Sequence, residues 1–283
     1  MNILCISRGI LYSPNLVEND AAIFMAVVDE LRAMGHEVTT IYEDKMAEMD
    51  FDRFDRVMTM ARNEENINAV LEDFMEEWED KFINSLEGSL TCMKKAMVAL
   101  QLVKLNIPQP TFKCGHRDLV YFETTAPDED IAMPAWLKNS DGTAQIPEDT
   151  LFCPTNKDYL EAKKIFKKMG VETWLLQEHK EGDLVKFYGV EGTDFFHWQY
   201  ASHGHSKFGL ENINGKEKGY AFDAKQMKDY ANQLAGYMHV PVYGGDAVID
   251  KEGQIWFIDF NDFPSFSSCM EEAAKAIAKR VVL

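Results

Sequence analysis

The sequence predicts an α/β fold that passes into α+β along the chain. Three observations carry this: a strand-helix-strand order at the start, a mixed run of strands and helices behind a proline-broken helix, and a late hairpin with one apolar and one polar face. Residues 2–7 read as an apolar strand, 19–34 as an amphipathic helix with Asn19 as its N-cap and Gly35 as its stop, and 37–42 as a second strand. Residues 55–60 add a third strand and 64–82 a further helix, so the first 90 residues form a small parallel sheet with helices. The loop at 8–18 lies at the carboxyl end of the first strand, where open α/β sheets bind ligands; a plain connector is the alternative.

Residues 94–105 read as a helix, and Asn106, Ile107, Pro108, Gln109 and Pro110 break it, which sets a lobe boundary near this point. Strands follow at 119–124 and 135–138, then a helix at 157–169 closed by Gly170, and strands at 173–178, 184–190 and 195–200. A polar loop over 202–219 leads to a helix at 224–238, the hairpin, and a last helix at 268–281. The lobes are placed at 1–90, 91–180 and 181–283.

With 283 residues the chain can bury a full enzyme core, and no apolar run is long enough to cross a membrane. Residues 2–7 lack a basic leader, so the expected location is cytoplasmic. Cys5, Cys92, Cys114, Cys153 and Cys269 are scattered, odd in number and without a C-x-x-C pair, which argues against disulfides and zinc. His203 and His205 lack a third ligand and read as a polar loop. A net charge of −18 argues against nucleic acid and anionic membranes, so an anionic nucleotide would need local lysines and a divalent cation. The acidic run between Glu65 and Asp80 reads as a solvated helix face.

The hairpin places Gly244, Gly245, Asp246, Ala247, Val248 and Ile249 before a turn of Asp250, Lys251, Glu252 and Gly253, and Gln254 to Asn261 after it. Pairing Ile249 with Gln254 sets Asp246 opposite Phe257 and puts Phe257, Asp259 and Asn261 on the face of Asp246. Asp246 and Asp259 are then diagonal neighbours about 7 to 8 Å apart at the backbone, with Ala247, Ile249, Trp256, Ile258 and Phe260 on the core face. Three oxygen ligands over an apolar back suit a hard cation such as Mg²⁺; a solvated hairpin face is the alternative.

Three segments resemble the ATP-grasp superfamily, which includes D-alanine ligase, glutathione synthetase and ligases that add glutamate to a ribosomal protein. Lys95 with Leu100, Ile107, Pro108 and Pro110 is similar to its lysine-headed helix entering the central lobe. Pro134, Ala135, Trp136, Leu137 and Lys138, then Trp174, Leu175, Leu176, Gln177, Glu178 and His179, are similar to its phosphate-lysine strand and adenine hinge. Gly245 and Asp246 with Ile258, Asp259, Phe260, Asn261 and Pro264 are similar to its metal strand. The resemblance covers residues 94 to 283 behind a Rossmann-like, pre-ATP-grasp lobe.

The resemblance implies ATP and Mg²⁺ as cofactors, with Asp246, Asp259 and Asn261 on the metal. Lys95, Lys138, Gln177, Glu178, His179, Asp183 and Lys186 are the implied nucleotide contacts, and Lys138 and Lys186 the implied catalytic cations. Glu178 and His179 act through their backbones; Asp183 either accepts from ribose or is a turn carboxylate. The implied activity is an ADP-forming ligase that joins a small-molecule or peptide carboxylate to an amine or thiol through an acyl phosphate. A phosphotransferase and a non-catalytic nucleotide-binding module are the alternatives. Arg8, Ser13, Asn15 and Lys207 are substrate-contact candidates by location. The sequence departs from the family in its flap, residues 139–147, which carries one glycine, and in the scarcity of arginine near the metal strand.

Overall fold

A computed structural model of the chain describes residues 1–9, 17–116, 119–124, 131–142, 144–203 and 209–283. The first 92 residues supply β1 (Asn2–Ser7), α1 (Val17–Ala33), β2 (Glu37–Tyr42), β3 (Arg56–Thr59), α2 (Glu64–Glu72), β4 (Phe82–Ile83) and α3 (Leu86–Cys92). Among the described residues the four strands form a parallel sheet in the order β2-β1-β3-β4. A helix predicted over 64–82 ends instead at Glu72. Continuing it would stack Glu72 on Glu76, Asp73 on Glu77 and Glu76 on Asp80, like charges four residues apart. Phe74, Trp78 and Phe82 keep a spacing of four but form one ring cluster with Phe51, and Phe82 joins the sheet.

Two antiparallel sheets follow. α4 (Lys95–Lys104) leads to β5 (Phe112–His116), β6 (Leu119–Thr124), β7 (Ala135–Asn139), β8 (Thr150–Cys153), α5 (Asn156–Met169) and β9 (Thr173–Glu178), with strand order β6-β5-β9-β7-β8. The capping box of Thr155 with Asp158 starts α5, and Gly170 at φ 75° ends it in the left-handed conformation that glycine enters without steric cost. β10 (Asp183–Val190), β11 (Phe196–Tyr200), α6 (Ala224–Tyr237), β12 (Val242–Ile249) and β13 (Ile255–Asp262) build the third sheet, ordered β11-β10-β12-β13. α3, β4, β5 and β8 are absent from the sequence expectation. α3 carries Gly88, a poor helix former, because a Cβ there would lie 2.2 Å from the Met238 carbonyl oxygen.

The chain returns at its end to its beginning. α7 (Met270–Val281) lays Ala273, Ala274, Ile277, Ala278 and Val281 against Ile23, Val27, Val28 and Leu31 of α1, in one core with Ile3, Cys5, Met58, Phe263 and Phe266. Buried polar groups make the same junction. The Arg8 guanidinium donates to Asp20 (2.8 Å), the Met60 carbonyl (3.2 Å) and the Phe263 carbonyl (3.1 Å). Arg62 donates to the Asp262 carboxylate (2.6 Å) and carbonyl (2.9 Å). The buried Glu43 carboxylate accepts from the amides of Gly9, Arg62 and Asn63, fixing the loops that carry both arginines.

Arg62→Met leaves the fully buried Asp262 carboxylate without its cation and is expected to cost about 3–5 kcal/mol in urea unfolding; the double variant with Asp262→Leu should recover part of that loss. Gly245→Ala puts a Cβ 2.3 Å from the Asp259 carbonyl oxygen and 2.6 Å from Phe187 Cζ. Such overpacking is expected to lower stability by roughly 1–3 kcal/mol in the same assay.

Candidate active site

The hairpin closes one residue tighter than the sequence suggests. Asp250 opposes Gln254: its N–H donates to the Gln254 carbonyl (3.1 Å), and its carboxylate accepts from the amides of Glu252 and Gln254. Gly253 takes φ 81° to complete the loop. Ile249 therefore pairs with Ile255, and a bulge after Ala247 and Phe257 makes Ile258 the extra residue, so that Asp246 pairs directly with Asp259. The two aspartates face each other across the strands and are not diagonal. The tighter loop reverses the expected faces of the residues before the bulge: Phe257 is fully buried in the core, whereas Trp256 and Ile258 are half-buried and Ile258 lines the cleft, and the bulge then returns Asp259, Phe260 and Asn261 to their expected faces.

That bulge serves Lys138. With no cross-strand partner, the Ile258 carbonyl accepts from Lys138 Nζ (3.1 Å), which also donates to Gln177 Oε1 (2.7 Å). Lys138 is 8% exposed, and burial pushes its ammonium down to about 8, against the pull of Asp259. Lys186 pairs in register with Asp246, its Nζ 3.5 Å from Asp246 Oδ1 and 3.9 Å from Glu211, and Asp246 holds its pKa well above the ordinary lysine value. Burial, reinforced by Asp259, keeps the Asp246 carboxyl above the usual range despite Lys186. Burial also pushes Asp259 upward, but Lys95, Lys138, the Asn261 amide (3.0 Å) and the Phe260 N–H (3.1 Å) outweigh it and leave Asp259 below the usual range.

Lys95 is the first residue of α4 and lines the cleft beside Asp259, whereas its neighbour Lys94 turns outward to Glu64 (3.0 Å). The start of α4 is fastened to the end of β7, with Lys95 N donating to the Ser140 carbonyl (3.0 Å) and Ala96 N to Ser140 Oγ (2.9 Å). Lys95 and Lys138 thus arrive as one unit. The residues meet in a cleft of about 420 Å³ between the two antiparallel sheets, which Arg8, Arg62 and Ser265 also line.

Trp136, Ile258 and the cross-strand partners Leu184 and Val248 are apolar parts of the cleft lining, and the turn Gln177, Glu178, His179 and Lys180 lines the same cleft. Two expectations change here. The amides of Glu178 and His179 already donate to the carbonyls of Thr111 (2.8 Å) and Pro134 (3.1 Å), so those two N–H groups are spent within the sheet. Asp183 is 2% exposed, accepts from the amides of Lys218 (2.6 Å) and Tyr220 (2.8 Å), and stands outside the residues lining the cleft; it anchors the following loop. The flap is also tied down, with Asp149 accepting from the amides of Gln145 (2.7 Å) and Ile146 (3.1 Å) and from Asn139 (3.0 Å).

Arg8 lines the cleft, while Ser13, Asn15, His205 and Lys207 lie outside the described residues. His203 sits 3.4 Å from Glu217, and the five cysteines are buried and unpaired by disulfides. Sequence reasoning missed Tyr188 and Gln199, which line the cleft with Lys186: one is two residues along its strand and the other its cross-strand partner, so period-two spacing held the signal. Arg62 and Glu211 come from distant segments and carried no local signal.

No protein-family model matches the sequence, and no curated protein matches it. Solved structures do match in three dimensions. D-alanine–D-alanine ligase from Bacillus anthracis, solved with ATP, has a TM-score of 0.67 at 11% identity, over 100% of this chain and 94% of that one. The D-alanine–D-alanine ligase from Coxiella burnetii gives 0.66 at 13% identity, over 100% and 94%. A RimK-domain ATP-grasp protein from Sphaerobacter thermophilus gives 0.67 at 14% identity over 100% of both chains. The likeness is one of fold: the chain has the ATP-grasp fold over its whole length.

Proposed function

We propose that the cleft binds ATP with Mg²⁺ and that the protein is an ATP-dependent ligase joining a carboxylate to an amine or thiol. The observation that carries this reading is the convergence of three ammonium groups, Lys95 from α4, Lys138 from β7 and Lys186 from β10, on Asp246 and Asp259. Cations from three elements spaced around two carboxylates suit a polyphosphate bridged by a metal better than any apolar ligand. The two D-alanine–D-alanine ligases with this fold support the reaction class, and the ATP in one of them supports the nucleotide.

The donor set fits Mg²⁺. Asp246 and Asp259 offer hard oxygens side by side, and the Asn261 amide nitrogen donates to Asp259, leaving its carbonyl oxygen as the group for a cation. Two protein carboxylates leave room for phosphate oxygens and water. When bound there, Mg²⁺ would neutralise phosphate charge. Lys138 and Lys186 would hold the transferring phosphoryl group, Lys95 would balance Asp259, and the apolar lining with Trp136 would receive adenine. The substrate carboxylate would take the γ-phosphoryl group of ATP, releasing ADP; the amine or thiol would attack the acyl phosphate and expel phosphate. The lobes in this scheme are 1–90 as the pre-ATP-grasp unit, 91–180 as the central subdomain and 181–283 as the subdomain with the metal ligands.

The pinned flap favours one second reading, a module that binds nucleotide without turnover, because the amides of Gln145 and Ile146 are engaged by Asp149. A screen of carboxylate and amine pairs with MgATP, following ADP and phosphate together, separates the readings. A ligase releases both, a phosphotransferase releases ADP with a stable phosphorylated product, and an inert module releases neither. In the pair that supports turnover, Asp259→Asn is expected to reduce ADP release by at least about a hundredfold while its circular dichroism stays that of the parent; unchanged turnover would refute the assignment.

Lys138 adds a pH test. Below pH 8 folded and unfolded chains both carry its proton, and folding bears the cost of burying the ammonium. Between about 8 and 10.5 the folded state releases that proton while the unfolded chain keeps it, so the Lys138 contribution to stability rises with pH. Without nucleotide, Lys138→Met should therefore be more stable than the parent at pH 7, with the advantage shrinking from pH 8 to 10.5 in urea titrations.

A further inference from the structure

Within the ATP reading of the cleft, one wall of the base slot is chemically more definite than the rest. His179 Nδ1 lies 3.0 Å from Trp136 Nε1. An indole nitrogen only donates, so Nδ1 must be the acceptor, and a neutral imidazole then carries its proton on Nε2. Rings fix the plane of the imidazole: Phe152 meets it edge-on at 5.2 Å between centroids, and Trp136 packs on Phe152 at 4.9 Å. Burial also depresses the pKa of His179, against Glu181 and Glu178, which favours the neutral ring.

Several other groups of this wall are already engaged. The amides of Glu178 and His179 are spent on Thr111 and Pro134, the Glu178 carboxylate is held by Lys180 at 2.7 Å, and Lys180 lies 4.3 Å over the Trp256 ring. His179 lines the cleft beside Leu184, Val248 and Ile258, which offer no polar atom of their own side chains.

We propose that His179 is a specificity residue for the nucleobase, presenting Nε2–H as a fixed donor to a ring nitrogen of adenine, with Trp136 as the positioning residue that selects the tautomer. A base showing a donor at that point leaves two hydrogens facing each other in an apolar slot and is rejected. Adenine offers acceptors at N1, N3 and N7, and removing the one that His179 reads should cost the most.

The test is calorimetric titration of ATP and its 1-deaza, 3-deaza and 7-deaza analogues, each with Mg²⁺, into the parent, His179→Phe and Trp136→Phe proteins. The parent should bind one analogue about tenfold more weakly than ATP, the loss of roughly one hydrogen bond. His179→Phe should bind that analogue and ATP alike, and Trp136→Phe, which frees the ring to take either tautomer, should show an intermediate gap. Equal binding of all four nucleotides by the parent, or a gap that persists in His179→Phe, overturns the role of His179 while leaving the ATP reading standing. Failure of the parent to bind any of the four refutes both. Should His179→Phe not fold, an unchanged gap in Trp136→Phe is itself sufficient to overturn the proposal.

Discussion

Two half-buried carboxylates, Asp246 and Asp259, are set directly opposite each other on neighbouring strands. Like charges in that position repel and lose hydration, and the rest of the cleft can be understood as the compensation. Lys186 meets Asp246 from the adjoining strand, Lys138 from the other sheet and Lys95 from α4 act on Asp259, and Asn261 and the Phe260 amide finish its hydrogen bonding. A site that assembles opposed acids and then surrounds them with lysines from separate elements is arranged for a ligand that carries negative charge and a cation together.

The backbone makes the opposition possible. Gly244 and Gly245 let β12 pass close to Pro264 and Phe187, where a Cβ would collide, and the bulge at Ile258 shifts Asp259 into line with Asp246. The same bulge releases the Ile258 carbonyl to Lys138, so one irregularity aligns the acids and anchors a cation. Behind β13, the buried Arg62–Asp262 pair and the return of α7 to α1 fasten this strand to the first sheet, which limits how far the acids can drift from the two arginines that line the cleft.

Most regular elements were legible because their periodicity reported burial: β9 was read at its observed bounds, and α5 ended where Gly170 said it would. The ligand residues on β12 and β13 were legible as types, but their opposition was not. A loop one residue shorter than expected put Phe257 on the core face, and a bulge, which changes the strand count by one without leaving a turn residue, then brought Asp259 opposite Asp246. The sequence left Asp183 as a ribose acceptor or a turn carboxylate, because the two amides that consume its oxygens lie 35 and 37 residues away, where no local pattern reveals them. Arg62 was invisible for the same reason, its partner lying 200 residues along the chain.

The central claim, that the opposed acids and converging lysines form one site for a metal-bridged nucleotide, is tested most directly by thermal unfolding with ATP alone, MgCl₂ alone and both together. The account predicts that the combination raises the melting temperature by clearly more than the sum of the separate effects, since each ligand completes the site of the other. A shift from MgATP no larger than that from either component alone would contradict it.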